Sequence, residues 1–220
     1  MDGRVERGDR TRKAVSARAV AIASVDGLSG MTLSQLAAAL GVSKSSIQTA
    51  FGTKESLQLA AIDAASEIFM AVVVAPAGKA PEGLLRLNAL IDRWLAYVED
   101  RVLPGGCFMG ATFSEFDSRP GAVRDGLARM RRGWLGLLER QAKIAQEAGD
   151  IPPVPTAAML AFEIDALLAA ANVSRNLTDD TAVLALAREL ITVRLGDTAK
   201  EPRKTARRRP ANPRRAPGDA

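Results

Sequence analysis

Ala37, Gly41 and Ile47 stand at the spacing that two short helices need in order to cross at a steep angle. Such a crossing requires a small residue where the helices touch, a glycine in the tight turn, and an apolar anchor on the second helix facing back into the bundle. Thr32 opens a capping box completed by Gln35, ahead of Leu33, Leu36, Ala37 and Leu40 on one face. Gly41 takes the left-handed conformation without a Cβ clash, and Ser43 caps a second short helix over 44–50. Val42-Ser43-Lys44-Ser45-Ser46 puts a cap and small polar or basic residues at the start of that helix. In a helix-turn-helix this end enters the major groove, where its backbone N–H groups and dipole favour phosphate. The spacing alone also arises by chance in helical proteins. A preceding amphipathic helix with a basic start, and Lys54 opening the next helix, strengthen the reading.

Helix is expected almost throughout. Hydrophobic residues make up 47% of the chain but aromatics only 4%, and Ala and Leu dominate over β-branched runs, which favours helix over sheet. Apolar periodicity, caps and breakers predict about nine helices. The first covers 11–25, with Val15, Ala19, Ile22 and Val25 on one face, and closes at Asp26-Gly27. The segments 33–40 and 44–50 follow, then one from 54 to about 74 before Pro76 and one over about 82–103. The last four are 107–117, a helix with Pro120 in its first turn running to about 146, 156–175, and one ending near Leu195-Gly196. The expected fold class is all-α, a three-helix helix-turn-helix head on a larger helical body. The expected division is a flexible arm over 1–9, the helix-turn-helix head over 10–53, a larger helical body over 54–198, and a disordered basic tail over 199–220.

Charge is uneven. Residues 1–56 hold eight Lys/Arg against five Asp/Glu, residues 57–199 fourteen against eighteen, and residues 200–220 eight against two. A basic head on a neutral-to-acidic body is what a nucleic-acid binder with a separate regulatory domain would show. Histidine is absent and Cys107 is the single cysteine. Zinc sites of the usual Cys/His kind, Ser-His-Asp and Cys-His catalysis, and an internal disulfide are thereby excluded. No cofactor is expected. The charged start of the chain and the lack of about 18 consecutive apolar residues read as a cytoplasmic protein. For the same reason Asn172-Val173-Ser174 and Asn176-Leu177-Thr178 carry no weight as glycosylation acceptors.

Residues 14–63 resemble the DNA-binding domain of the TetR family of transcriptional regulators. The resemblance lies above all in Gly27-Leu28-Ser29-Gly30-Met31-Thr32-Leu33-Ser34-Gln35-Leu36-Ala37, in Leu40-Gly41-Val42-Ser43-Lys44-Ser45-Ser46-Ile47, and in Phe51-Gly52-Thr53-Lys54-Glu55-Ser56-Leu57. It implies that helix 33–40 braces the recognition helix 44–50, with Thr32 and Ser34 touching phosphates. Lys44, Ser45, Ser46, Gln48 and Thr49 would face the groove, Lys54 would hold a backbone phosphate, and Ser43 and Thr53 are further DNA-binding candidates. Leu36, Ile47, Phe51 and Leu57 would be core. The family often has an aromatic at the place of Gln48 and a histidine at the place of Ala50, so the operator cannot be copied from relatives. Gln48 can hydrogen-bond adenine or a phosphate instead. Arg10, Arg12 and Lys13 are either an arm reaching phosphate or the minor groove, or a solvated helix start. The resemblance further implies a body that binds a small effector and dimerises through its last two helices.

In that body Trp94, Tyr97, Phe108, Met109, Thr112, Phe113, Phe116, Met130, Trp134 and Phe162 are candidate effector contacts, although most such residues are simply core. Any ligand held by them is mainly apolar, oriented by one or two polar groups such as Tyr97, Thr112 or Ser114. Pro104-Gly105-Gly106 is a hinge for the sixth helix, or only a turn. Cys107 reads as packing rather than a redox sensor. Leu160, Leu167, Leu168 and Ala171 on the eighth helix, with Val183, Leu186, Leu190, Ile191 and Val193 on the ninth, are candidates for a two-fold four-helix interface. A dimer would place two recognition helices about one DNA turn apart.

Three functions remain from different classes. A DNA-binding transcriptional regulator, a homodimeric repressor released by an effector, fits the residues best. A non-specific architectural DNA binder driven by the basic tail (Lys204, Arg207, Arg208, Arg209, Arg214, Arg215) is the alternative. An enzyme would depend on the pairs Glu115/Asp117 or Glu163/Asp165, but residues two apart on a helix point about 200° from one another and cannot share a substrate. No enzyme activity is expected.

Overall fold

The computed structural model describes residues 2–196, with side chains from Arg12 onward, and among these residues there is helix but no strand. Helix α1 spans Asp2–Gly30 and is broken at Gly27, whose φ of 72° only glycine adopts cheaply. Helices α2 (Leu33–Leu40) and α3 (Lys44–Phe51) are joined by Gly41 at φ 65°, the left-handed cap that the sequence predicts. The capping box is complete: Thr32 Oγ1 accepts from Gln35 N at 3.2 Å and Gln35 Oε1 accepts from Thr32 N at 2.9 Å. Helix α4 covers Lys54–Ala77 behind the cap Thr53. The body continues with α5 (Leu84–Glu99), α6 (Phe108–Phe116), α7 (Ala122–Glu147), α8 (Ala157–Thr178) and α9 (Ala182–Arg194).

Four boundaries differ from the sequence expectation. Helix α1 begins at Asp2 rather than Thr11. Helix α4 runs past Pro76 because a π turn at Met70–Val74 loosens the ladder just before the residue that lacks an N–H. Helix α5 starts only after Gly83 (φ 90°) and stops at Glu99, ahead of Arg101 at φ 47°. Pro120 lies outside α7, which starts at Ala122 after Gly121 at φ 141°. The tail over 199–220 and its arginines lie outside the described residues.

One hydrophobic core runs from head to body. Val15, Ala19, Leu28, Leu36, Ile47 and Leu57 bury the head, and Leu87, Ile91, Leu138, Ile164 and Ile191 continue inward without a gap. Helix α1 packs on α4 and α6, and α8 packs on α7 and α9. Helices α4 and α8 are long and apolar enough to cross a membrane by length and composition. Each, however, is interrupted by acids, Asp63 and Glu67 in one and Glu163 and Asp165 in the other, and each packs against several neighbours.

Ile47 is the apolar root of α3 and is 1% exposed, whereas Gln48 beside it is exposed. Ile47→Ala is expected to lower unfolding stability by about 2–5 kcal/mol through cavity formation. Gln48→Ala should stay within about 0.5 kcal/mol. Urea melts of the two variants against the parent protein check both values.

Candidate nucleic-acid interface and ligand cavities

Ser43 lies at the N-terminus of α3 with its Oγ accepting from Ser46 N at 3.1 Å, and the Ser43, Ser45 and Ser46 hydroxyls are linked at 2.8 Å. Lys44, Ser45, Ser46, Gln48 and Thr49 are all exposed, while Ile47 and Phe51 on the opposite side are buried. Thr49 Oγ1 donates to Ser45 O at 2.9 Å, and Gln48 Nε2 donates to Gly52 O, closing the end of the helix. Thr32, Ser34, Thr53 and Lys13 are exposed on the same head. Two basic residues sit differently from the expectation. Arg12 donates to Ala50 O at 3.1 Å and lies over the Phe51 ring, 4.8 Å from its centroid, so it caps the C-terminus of α3 rather than extending as an arm. Lys54 Nζ donates to Ser29 O at 2.7 Å instead of standing free. Arg10 lies outside the residues with described side chains.

Ser29 is the junction of head and body. Its N–H donates to Glu115 Oε2 at 3.1 Å, its hydroxyl oxygen accepts from Arg119 Nη1 at 3.1 Å, and its carbonyl takes Lys54. A Cβ at Gly27 would overlap the Glu115 carboxylate, so the break in α1 is shaped to admit that side chain. Gln58 Nε2 donates to Leu28 O at 2.9 Å from α4. Gly105 N donates to Ser24 Oγ at 3.1 Å, and its α-carbon lies so close to Ser24 that a side chain would strike the backbone. The segment Pro104-Gly105-Gly106 is therefore a contact of the body with α1. Glu115, one of the acids weighed for catalysis, is a structural ligand of a backbone N–H. The sequence carried no signal for this, because its partner lies 86 residues away.

Three cavities surround α6 and the start of α7. A groove of 430 Å³ lies between them, walled by Phe113, Phe116, Leu127 and Ala128 with Ser114, Asp117, Arg124 and Arg131. A second, of 230 Å³, is bounded by Phe69, Met70 and Val74 at the π turn of α4, and by Met109, Met130 and Trp134. Between these lies a chamber of 50 Å³ with Trp94, Cys107, Met109, Phe113, Arg131, Asp165 and Asn172. Among the candidate contacts, Trp94, Met109, Phe113, Phe116, Met130 and Trp134 line these three spaces. Tyr97 and Phe108 are buried beside them, Tyr97 edge-on to Phe69 at 5.9 Å. Thr112 is fully buried and donates to Phe108 O at 2.9 Å, so its hydroxyl serves the helix. Phe162 is corrected: it is 62% exposed on α8, because its position falls on the outward stripe of that helix.

The sequence offers Asp165 only as half of the pair Glu163/Asp165 and does not single out Arg131. Asp165 is buried and pairs with Arg131 Nη2 at 2.8 Å, with Trp134 also donating to it. Burial raises its pKa, and Arg131 partly offsets that. Burial likewise pushes the Cys107 thiol up to about 11, and raises the Tyr97 phenol. Cys107 is packing at the bottom of the chamber, its N–H donating to Asn172 Oδ1 at 3.0 Å.

The candidate dimer residues divide. Leu160, Leu168, Ala171 and Ile191 are buried inside the protomer and cannot meet a partner, because α8 and α9 turn those faces to α7 and to each other. Leu167 and Val183 are half-buried. Leu186, Leu190 and Val193 are exposed, and with Met159, Phe162 and Val173 they leave an uncovered apolar face on both helices. Arg194 bridges to Glu163 along that face, with Nη2 at 2.8 Å from Oε1.

Residues 16–61 match the family described as bacterial regulatory proteins, tetR family, and residues 83–191 match the tetracyclin repressor-like C-terminal domain. Among solved structures, a TetR transcriptional regulator from Chloroflexus aurantiacus is 26% identical with a TM-score of 0.80, over 87% of this chain and 96% of that one. A TetR-family regulator from Cytophaga hutchinsonii is 23% identical with a TM-score of 0.75 over the same shares. AibR, solved in complex with isovaleryl coenzyme A and operator DNA, is 17% identical with a TM-score of 0.66, over 83% of this chain and 96% of that one. No curated protein matches the chain.

Two outcomes follow from the geometry. The Cys107 thiol should resist thiol reagents at pH 8 in the native protein and react on unfolding. Its folded pKa lies above the ordinary 9.0, so the stability it contributes is complete below pH 9 and lost as pH rises from there towards 11. Gly27→Ala should expel the Glu115 carboxylate from the α1 break and lower amide protection at Ser29–Met31 by about tenfold, equivalent to about 1.4 kcal/mol of local opening. Native-state hydrogen exchange reads that change directly.

Proposed function

Because the chain belongs to the TetR family and is a DNA-binding transcription regulator rather than an enzyme, we propose that it is a repressor. It binds a near-palindromic operator as a homodimer in the cytoplasm and is released by a small, mainly apolar effector. The observation that carries this reading is a single core joining two surfaces. Ile47 and Phe51 root the exposed row of α3 in the same apolar cluster that reaches Trp94 and Trp134 at the cavities. Lys44, Ser45, Ser46, Gln48 and Thr49 read the groove, with Thr32, Ser34, Ser43 and Thr53 on phosphates. The apolar face of Phe162, Leu186, Leu190 and Val193 supports the dimer, since a soluble monomer rarely leaves such a stripe uncovered.

An effector between α6 and its neighbours acts on DNA affinity through α6 itself. One face of that helix carries Met109 and Phe113 at the cavities, and its end holds Ser29 through Glu115. AibR was solved with both a ligand and operator DNA, which supports one fold serving both. Lys54 and Arg12 contribute by holding the head together, and reach phosphate only if they leave Ser29 and Ala50.

Selection of bound sequences from a random duplex library, with the full chain at physiological salt, tests the reading. A palindromic motif should emerge, and a Lys44→Ala, Gln48→Ala double variant should lose it. Absence of any motif, with binding abolished by removing residues 199–220, would favour the tail-driven architectural binder instead. Leu186→Glu with Leu190→Glu should convert the dimer to monomer in analytical ultracentrifugation and weaken operator binding at least tenfold.

A further inference from the structure

Arg131 is the partition between the outer groove and the inner chamber, lining both. Its guanidinium lies 5.7 Å from the Phe113 ring centroid and commits Nη2 to the buried Asp165 at 2.8 Å. Arginine carries five N–H donors and no acceptor, so most of the fork remains for a group in the groove. Arg124 stands seven residues earlier on the same face of α7 and uses only Nε, on Asp117 O at 3.0 Å. Phe113, Phe116 and Leu127 supply an apolar floor between the two guanidinium groups.

The charge around this mouth is mainly positive: Arg124 and Arg131 line the groove against Asp117, and residues 117–132 hold five arginines and two acids, Asp117 and Asp125. Arg129 extends the same charge to the rim of the 230 Å³ cavity. A cationic ligand would find Asp117 with Arg124 bonded to its backbone carbonyl, and Asp165 already covered by Arg131 and Trp134. Displacing Arg131 would leave its charge in the same groove as the ligand's. An anion meets no such conflict: it shares Arg131 with Asp165 from the other edge of the fork, a geometry guanidinium provides and ammonium does not.

The geometry points to an amphipathic organic anion as the ligand of the α6–α7 groove. Its carboxylate head lies on Arg131 and Arg124, and its hydrocarbon or aromatic body on Phe113, Phe116 and Leu127. This deepens the reading of the protein as effector-responsive and rests on it for the biological role, but binding can be measured without DNA. The mainly apolar effector thus gains a charged head.

Calorimetric titration of the full-length protein with octanoate and 2-naphthoate, against octanol, 2-naphthol and octyltrimethylammonium, is the test. At least one carboxylate should bind saturably, one per protomer, and at least about tenfold more tightly than the neutral or cationic molecule of the same body. Arg131→Met should abolish that preference. Because this variant strips Asp165 of its counter-charge and can lose stability, Arg124→Met is the second arm. That exposed residue should cost severalfold in carboxylate affinity and nothing in alcohol affinity, while Arg132→Met leaves both unchanged. Absence of saturable carboxylate binding overturns the inference. Equal or tighter binding of the alcohol or the cation, or unchanged carboxylate affinity in both groove variants, overturns it as well. The selected operator then separates the two readings. A carboxylate that binds with the expected preference but does not weaken DNA binding leaves the ligand class standing and removes the effector role.

Discussion

The architecture turns on how the body holds one residue, Ser29. Three polar side chains, Lys54 from α4, Glu115 from α6 and Arg119 from the loop that follows α6, converge on it, each taking a different backbone or side-chain group. The turn that presents Ser29 exists because Gly27 leaves the right-handed region, and because that glycine has no Cβ, the Glu115 carboxylate can occupy the space beside it. Removing the glycine would forfeit both the turn and the pocket for the acid. Without this junction the head would lose its polar tie to α6, and α2 and α3, each of about two turns, have little stability of their own.

The body resolves a second constraint, the burial of Asp165. A carboxylate in an apolar interior is costly unless paired and hydrogen-bonded, and here Arg131 and Trp134 supply both. The pairing fixes Arg131 against Phe113, and so fixes the boundary between groove and chamber. A polar contact in the core thus sets the shape of the cavities, with exposed Arg124 and Arg129 standing at their rims. The neighbouring Cys107 and Tyr97 stay neutral under the same burial, which leaves the Arg131–Asp165 pair as the charged element there.

Much of this was legible in the sequence where the signal was local. Thr32, Gln35, Gly41 and Ser43 announce caps whose partners are within three residues or so, and the structure has those caps. Ile47 and Phe51 are buried because one face of a short helix must be. The sequence failed where the partner was distant. Glu115 looked like half of a carboxylate pair, Lys54 like a free phosphate ligand and Arg12 like an arm, because nothing nearby reveals Ser29 or Ala50 as their partners. The apolar stripes of α8 and α9 were read by residue type, which cannot tell a face packed on α7 from one facing outward. Leu160 and Phe162, two positions apart, fall on opposite sides of that distinction.

The junction also bounds what an effector can do. Site-to-site coupling is typically about 1–3 kcal/mol. Glu115, Arg119 and Lys54 each join a charged side chain to a neutral group of Ser29, bonds worth about 1.5–3 kcal/mol when shielded and less where, as here, water reaches them. Loosening one or two of them by a shift of α6 therefore supplies the whole coupling without unfolding the head. A shift is available because α6 is short, faces cavities on one side, and is followed by the exposed stretch Asp117–Pro120. The ligand's contribution need only exceed that loosening, since an equilibrium moves by no more than the difference in affinity between its two states. A groove whose walls are three apolar side chains and whose ends are two guanidinium groups can meet that difference with one charged head and a modest hydrocarbon body. Charge gives direction and burial gives the remaining free energy.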